Sequence, residues 1–180
     1  MKLTPLMEKF ILHWGEMGTR WGVNRTVAQI HALLYLSPQP LPADEIAETL
    51  SVARSNVSTS LKELQSWRLV TVTHVLGDRR DHFKTSSDMW EMIATIIEER
   101  KRREIDPTLA LLRQCVDEMQ HDHETPKEVK ERIKSMLSFI QMLTSWFEQI
   151  IALPRSTQKA LLKLGGKIAR FLPRETAAEK

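Results

Sequence analysis

The stretch Pro42-Ala-Asp-Glu-Ile-Ala-Glu-Thr-Leu-Ser-Val-Ala-Arg-Ser-Asn-Val-Ser-Thr-Ser-Leu-Lys-Glu-Leu64 reads as two short helices joined by a tight turn. Such a pair needs a small residue where the helices cross, and Ala47 stands there. Ile46, Leu50, Val52, Val57, Leu61 and Leu64 recur at helical spacing and wedge the pair onto a core. The second helix then keeps Arg54, Ser55, Asn56, Ser58, Thr59 and Lys62 facing outward. Short hydrogen-bonding side chains with basic ends suit the edges of a major groove better than an apolar interior. Acids gather on the first helix, at Asp44, Glu45 and Glu48.

The segment Leu69-Val-Thr-Val-Thr-His-Val-Leu-Gly-Asp-Arg-Arg-Asp-His-Phe-Lys-Thr85 continues the pattern. Val70, Val72 and Val75 are β-branched and flank a Gly77-Asp78 turn, with His82 to Thr85 returning. This predicts a hairpin with Arg79 and Arg80 near its tip, and His82 joins them as a candidate DNA contact. Helix, helix and basic hairpin in this order predict binding to double-stranded DNA.

The same residues resemble a family. Helix, helix and a hairpin with Asp78-Arg79-Arg80 at its tip look like the MarR-type winged helix. The runs Arg54-Ser-Asn-Val-Ser-Thr-Ser-Leu-Lys-Glu-Leu-Gln-Ser-Trp-Arg-Leu-Val70 and Gly77-Asp-Arg-Arg-Asp-His-Phe83 are similar, more narrowly, to the GbsR branch. That resemblance covers residues 8–105 and implies a repressor tied to choline and glycine-betaine metabolism. Two positions depart from the pattern. Ser51 occupies a turn position that favours positive φ and is often Gly. Ala53 stands where a Ser often caps the second helix, and a missing cap costs on the order of 1 kcal/mol.

The chain has 180 residues, enough for one compact domain with an extension or for two small ones. Its net charge of +3 permits nucleic-acid binding without arguing for it, so the case rests on where the bases stand. A single cysteine, Cys115, excludes an intramolecular disulfide, fits a reducing cytoplasm and is expected to be a buried thiol beside Leu111, Leu112 and Val116. No apolar run approaches the ~18 residues needed to span a bilayer, and Met1-Lys-Leu-Thr-Pro-Leu6 lacks a signal-peptide pattern. These features predict a cytoplasmic protein.

Around the central motif, Met7, Phe10, Ile11 and Trp14 form a helical stripe, and Gly15 and Gly18 allow another backbone to approach. Asn24 is an expected N-cap for a helix with Val27, Ile30, His31 and Leu34 on its core face. Asp88 is expected to cap a helix that runs into Glu98-Glu-Arg-Lys-Arg-Arg-Glu104. Glu98 with Arg102 and Glu99 with Arg103 predict a solvated helical face there. Asp106-Pro107 reads as a fresh helix start, with Leu109, Leu112, Val116 and Met119 on one side.

Thr125-Pro-Lys-Glu128 has the form of a capping box at the start of the longest helix. Val129, Ile133, Met136, Ile140, Leu143, Phe147 and Ile150 follow one another as a coiled-coil-like seam. Phe139, Met142 and Trp146 add a second apolar stripe. A helix apolar on two sides needs cover on two sides, which predicts a homodimer through Ile133, Met136, Ile140, Leu143, Phe147 and Ile150. From Arg155 to Arg174 a basic segment carries Leu161, Leu164, Ile168 and Phe171 on its apolar side and is expected to pack on the dimer.

The expected architecture is therefore mainly α with a small β-hairpin. Residues 1–105 form a winged helix-turn-helix domain with N-terminal helices, and residues 106–180 a helical dimerisation and regulatory region. No phosphate loop or nucleophile motif stands out, so no enzyme and no cofactor are expected. His121-Asp122-His123-Glu124 is too tightly spaced to converge on a metal and reads as a polar loop. Trp14, Trp21, Trp90, Trp146 and Phe147 supply aromatic faces that attract cations. With the resemblance, Trp90 and Trp146 become candidate contacts for a quaternary ammonium effector. The competing function is a helical adaptor that uses its winged helix for protein contacts alone.

Overall fold

The structure, a computed structural model, describes residues 1–165 and 167. Ile168, Arg170, Phe171 and Arg174, part of the expected basic segment, lie outside the described residues. The chain divides into two compact units, Met1–Glu104 and Ile105–Lys180.

The first unit begins with α1 (Pro5–Arg20) and α2 (Arg25–Leu36), which pack on each other. Gly18 makes this packing close: a Cβ there would stand 2.4 Å from Ala28 Cβ. Asn24 caps α2 as expected, its Oδ1 accepting the Thr26 N–H at 2.8 Å. The helix-turn-helix is α3 (Ala43–Leu50) and α4 (Arg54–Ser66). Ser51 between them takes φ 53°, the left-handed turn conformation. Ala53 leaves α4 without a side-chain cap.

The wing is a three-stranded antiparallel sheet rather than the two-stranded hairpin expected. Strands β2 (Thr71–Val75) and β3 (Asp78–Lys84) form the hairpin, and β1 (Leu41–Pro42) pairs with β3 through Leu41–Phe83 and Pro42–His82. A two-residue strand ending in proline carries no periodic signal, so only the non-local pairing reveals it. Ile11, Val27, Ile30, Leu33, Ile46, Val57, Leu61, Leu64, Val70 and Phe83 form one core. Each fully buried aliphatic side chain there contributes about 1.5–3 kcal/mol, so the core joins α1 and α2 to the helix-turn-helix and the wing. The unit closes with α5 (Met89–Arg100), capped by Asp88 Oδ1 on the Trp90 N–H at 2.9 Å.

Between α5 and α6 (Asp106–Glu118) lies a π-helical turn, Lys101–Ile105. The expected break with Asp106 as cap does not form; the residue at the cap position is Ile105, itself helical. Pro107 cannot donate to a carbonyl one turn back and its ring crowds that turn. A widened π turn accommodates such a residue without ending the helical path.

In the second unit α6 packs on α7 (Lys127–Ala152), and α8 (Arg155–Leu164) follows. The capping box of Thr125 is not made, since α7 has no side-chain cap. Asp122 takes that role for the loop instead: its Oδ1 accepts the Glu124 and Thr125 N–H groups at 2.9 and 3.1 Å. Hydrogen bonds from Thr125 and Glu124 hold its carboxyl well below the usual carboxylate range. Leu109 and Leu112 are buried, whereas Cys115 is half-buried rather than buried, because neighbouring Leu111 points outward, 60 % exposed. No residue of α7 is buried. Among the described residues no helix is long and apolar enough to cross a membrane.

Candidate nucleic-acid interface

Helix α4 divides cleanly by face. Val57, Ser60, Leu61 and Leu64 are buried, while Arg54, Ser55, Asn56, Thr59 and Lys62 are exposed and Ser58 is half-buried. Two of the outward groups already have local partners. Arg54 Nε donates to the Asp44 carboxylate on α3, and the Thr59 hydroxyl donates to the Ser55 carbonyl at 3.1 Å. Asn56 and Lys62 project without such a tie. An exposed asparagine amide presents an NH2 donor group and a carbonyl acceptor, which complement the N7 acceptor and N6–H donor of an adenine edge in the major groove.

A polar cleft of about 330 Å³ separates α4 from the wing. Arg54, Ser58, Lys62 and Gln65 line one wall, and Val72, Arg80 and Asp81 line the other. Both walls carry guanidinium or ammonium groups, the kind of side chain that contacts phosphates.

At the wing, Arg80 is held by Asp78. Arg80 Nε donates to both Asp78 oxygens at 3.0 Å and Nη2 to one of them at 2.5 Å, while the Arg80 N–H adds a backbone bond. These bonds hold the Asp78 carboxyl far below the usual carboxylate range and raise the Arg80 guanidinium. The pair therefore stays ionised, with Arg80 pre-oriented. Arg79 is exposed on the same strand.

His82 is not placed as a DNA contact. It is 5 % exposed, its Nδ1–H donates to the Arg80 carbonyl at 2.9 Å, and its Nε2 stands 3.4 Å from Asp78. Pairing with Pro42 and its bonds to Arg80 and Asp78 cover the ring, so it braces the Asp78–Arg80 pair.

The charge run after α5 also differs from the solvated face expected. Glu99 is 1 % exposed and accepts from Arg102 Nη2 at 2.5 Å, with Arg103 at 3.4 Å and Arg68 at 3.9 Å. The hydrogen bond from Arg102, then the charges of Arg102, Arg103 and Arg68, lower its pKa. Arg103 stacks 4.7 Å above the Trp67 ring and donates to the Ser66 carbonyl at 2.6 Å. Arg68 itself takes φ 57° at the end of α4, a conformation that costs a non-glycine residue roughly 1–2 kcal/mol. The i,i+4 spacing signalled the Glu99–Arg103 pair but not its burial.

A second cavity, about 220 Å³ and mostly apolar, lies within the first unit. Trp14, Trp21, Trp67, His31 and Glu63 are among its walls. Trp90 and Trp146, the expected effector contacts, are not. Trp146 packs edge-on to Phe147 instead, and Trp90 is half-buried on α5.

The arrangement of helix pair, sheet and cleft agrees with what sequence comparison finds. Residues 21–81 match the model of the MarR family. Over that segment the chain is similar to the MarR family. Over 159 residues it is 20% identical to the HTH-type transcriptional repressor GbsR of Bacillus subtilis, covering 87% of this chain and 84% of that protein. The fold is matched by a crystal structure of a transcriptional regulator, 19% identical, with a TM-score of 0.65 over 86% of this chain and 99% of that one. The resemblance to the GbsR branch thus extends beyond the winged helix into the helices that follow it. These relatives are named as regulators of transcription, not as enzymes.

On α7 the expected seam is only partly open. Ile133, Ile140 and Ile150 are half-buried, whereas Met136, Leu143 and Phe147 are exposed. The second stripe is the most open, with Phe139, Met142 and Trp146 at 58 %, 65 % and 55 % exposure.

Proposed function

We propose that this protein is a cytoplasmic, sequence-specific DNA-binding repressor that acts as a homodimer on a near-palindromic operator. The observation that carries the proposal is the exposed face of α4, with Asn56 free to reach bases and Lys62 the backbone, set across a cleft from a wing bearing Arg79 and Arg80. Arg54, Ser55, Asn56, Ser58 and Thr59 read or position the major groove, and Lys62 with the wing arginines engages the backbone or minor groove. The named function of the GbsR relative supports repression. Dimerisation uses α7, whose exposed Phe139, Met142, Trp146 and Phe147 form an apolar face of the kind that marks a protein–protein contact.

A small-molecule effector is part of this reading. The cavity beside Trp14, Trp21 and Trp67 has the aromatic walls that attract a quaternary ammonium, with Glu63 and Arg100 both in its lining. Titration with choline, read by tryptophan emission and by operator affinity, tests this component.

A gel-shift titration at several salt concentrations tests the central reading. Operator binding that weakens steeply with salt is expected, and Asn56→Ala should relax specificity at one base pair by about 1–3 kcal/mol. A chain that shifts no duplex at low salt would leave the winged helix as a protein-contact module.

A further inference from the structure

The buried Glu99 cluster lies away from the exposed face of α4, yet every contact it makes outside its own helical segment leads to the end of α4. Arg68 follows the helix, Trp67 caps it, and Ser66 ends it. Arg102 and Arg103 come from the π-helical turn, so one carboxylate gathers guanidinium groups from two segments far apart in sequence. The left-handed backbone of Arg68 is a costly way to leave a helix, and its guanidinium is tied to Glu98 at 3.6 Å as well as to Glu99. Directly beyond it the chain enters β2 of the wing. The connection between recognition helix and wing therefore lies beside this cluster.

We infer that Glu99 is a positioning residue for operator recognition: by drawing Arg68, Arg102 and Arg103 together it locks the C-terminal end of α4, and so the register between recognition helix and wing. The inference rests on the DNA-binding reading given above. It differs from a phosphate-contact role for the same arginines. In the protein all three guanidinium groups are turned towards the Glu99 carboxylate, Arg68 and Arg102 while still largely exposed, and Arg103 also stacks on Trp67 and donates to the Ser66 carbonyl.

Charge makes the test directional. Glu99→Gln removes a negative charge, so electrostatics alone tightens binding to any duplex. A positioning role predicts the opposite for the operator: affinity lower by on the order of tenfold, the equivalent of one lost base contact, with non-specific affinity equal or higher. Arg103→Lys provides the second variant. It keeps the charge but loses the planar fork and the stacking on Trp67, and it should lower the operator-to-non-specific ratio in the same direction. Both affinities are read by fluorescence anisotropy at fixed salt, with helix content checked by circular dichroism. Operator affinity that is unchanged or tighter in both variants overturns the inference. So does a parallel fall of specific and non-specific binding with loss of helix content, which marks a merely structural role. If wild type discriminates no sequence at all, the DNA-binding reading itself is overturned, and this inference falls with it.

Discussion

Replacing Arg79 by Ala isolates the contribution of the wing to DNA affinity. Arg79 is the better probe of the two wing arginines. Arg80 is chelated by Asp78, so its removal leaves an uncompensated carboxylate beside His82. Arg79 is exposed and has no carboxylate partner among the described residues. Each phosphate neutralised contributes about 0.9 to the slope of log affinity against log salt, so two wings in a dimer contribute about 1.8. Between 50 and 200 mM salt, a fourfold change, the affinity gap between wild type and Arg79→Ala should then shrink by about 12-fold. A single engaged wing would shrink it by only about 3.5-fold. The assay is anisotropy of a labelled operator at several salt concentrations, with the slope as readout. An unchanged slope would refute the reasoning, because it would mean that the wing releases no counterions.

Gly18→Ala should destabilise the first unit by about 1–3 kcal/mol, since the new Cβ meets Ala28 Cβ at 2.4 Å; the urea midpoint reports it. Burial lowers the pKa of His31 from 6.5 to about 4, so the unfolded chain binds the proton first. The His31 contribution is therefore complete above pH 6.5 and declines as pH falls towards 4, with a loss of about 2 kcal/mol by pH 5. In His31→Gln, unfolding free energies at pH 7 and pH 5 should differ by correspondingly less than in wild type. Met142→Glu, at a position 65 % exposed in the protomer, should leave the fold intact while placing a charge in a dry dimer interface. Sedimentation velocity should show a monomer; a dimer as stable as wild type would move the interface off this stripe.

Much of the first unit was legible because its signals are local. The caps at Asn24 and Asp88 act two residues away, and the left-handed Ser51 and uncapped Ala53 follow from the turn itself. The buried set Val27, Ile30, His31 and Leu34 follows from helical periodicity. What escaped depends on distant partners. Strand β1 exists only by pairing with β3. Glu99 looks like any solvated i,i+4 acid until Arg68, far upstream, is folded against it. His82 reads as part of a basic tip, yet pairing of β3 with β1 and its contact with Asp78 cover it. Thr125 has the pattern of a capping box, but Asp122 captures its N–H first. The tryptophans of the apolar cavity come from α1, from the segment that follows it and from the end of α4, a convergence no spacing rule announces.

Selection of bound sequences from a random duplex pool tests the central claim most directly. The account predicts enrichment of a single site with two inverted half-sites, centred about 34–36 Å apart to match two recognition helices related by a two-fold axis. A pool recovered without enrichment, at a salt concentration where non-specific binding is already weak, would contradict it.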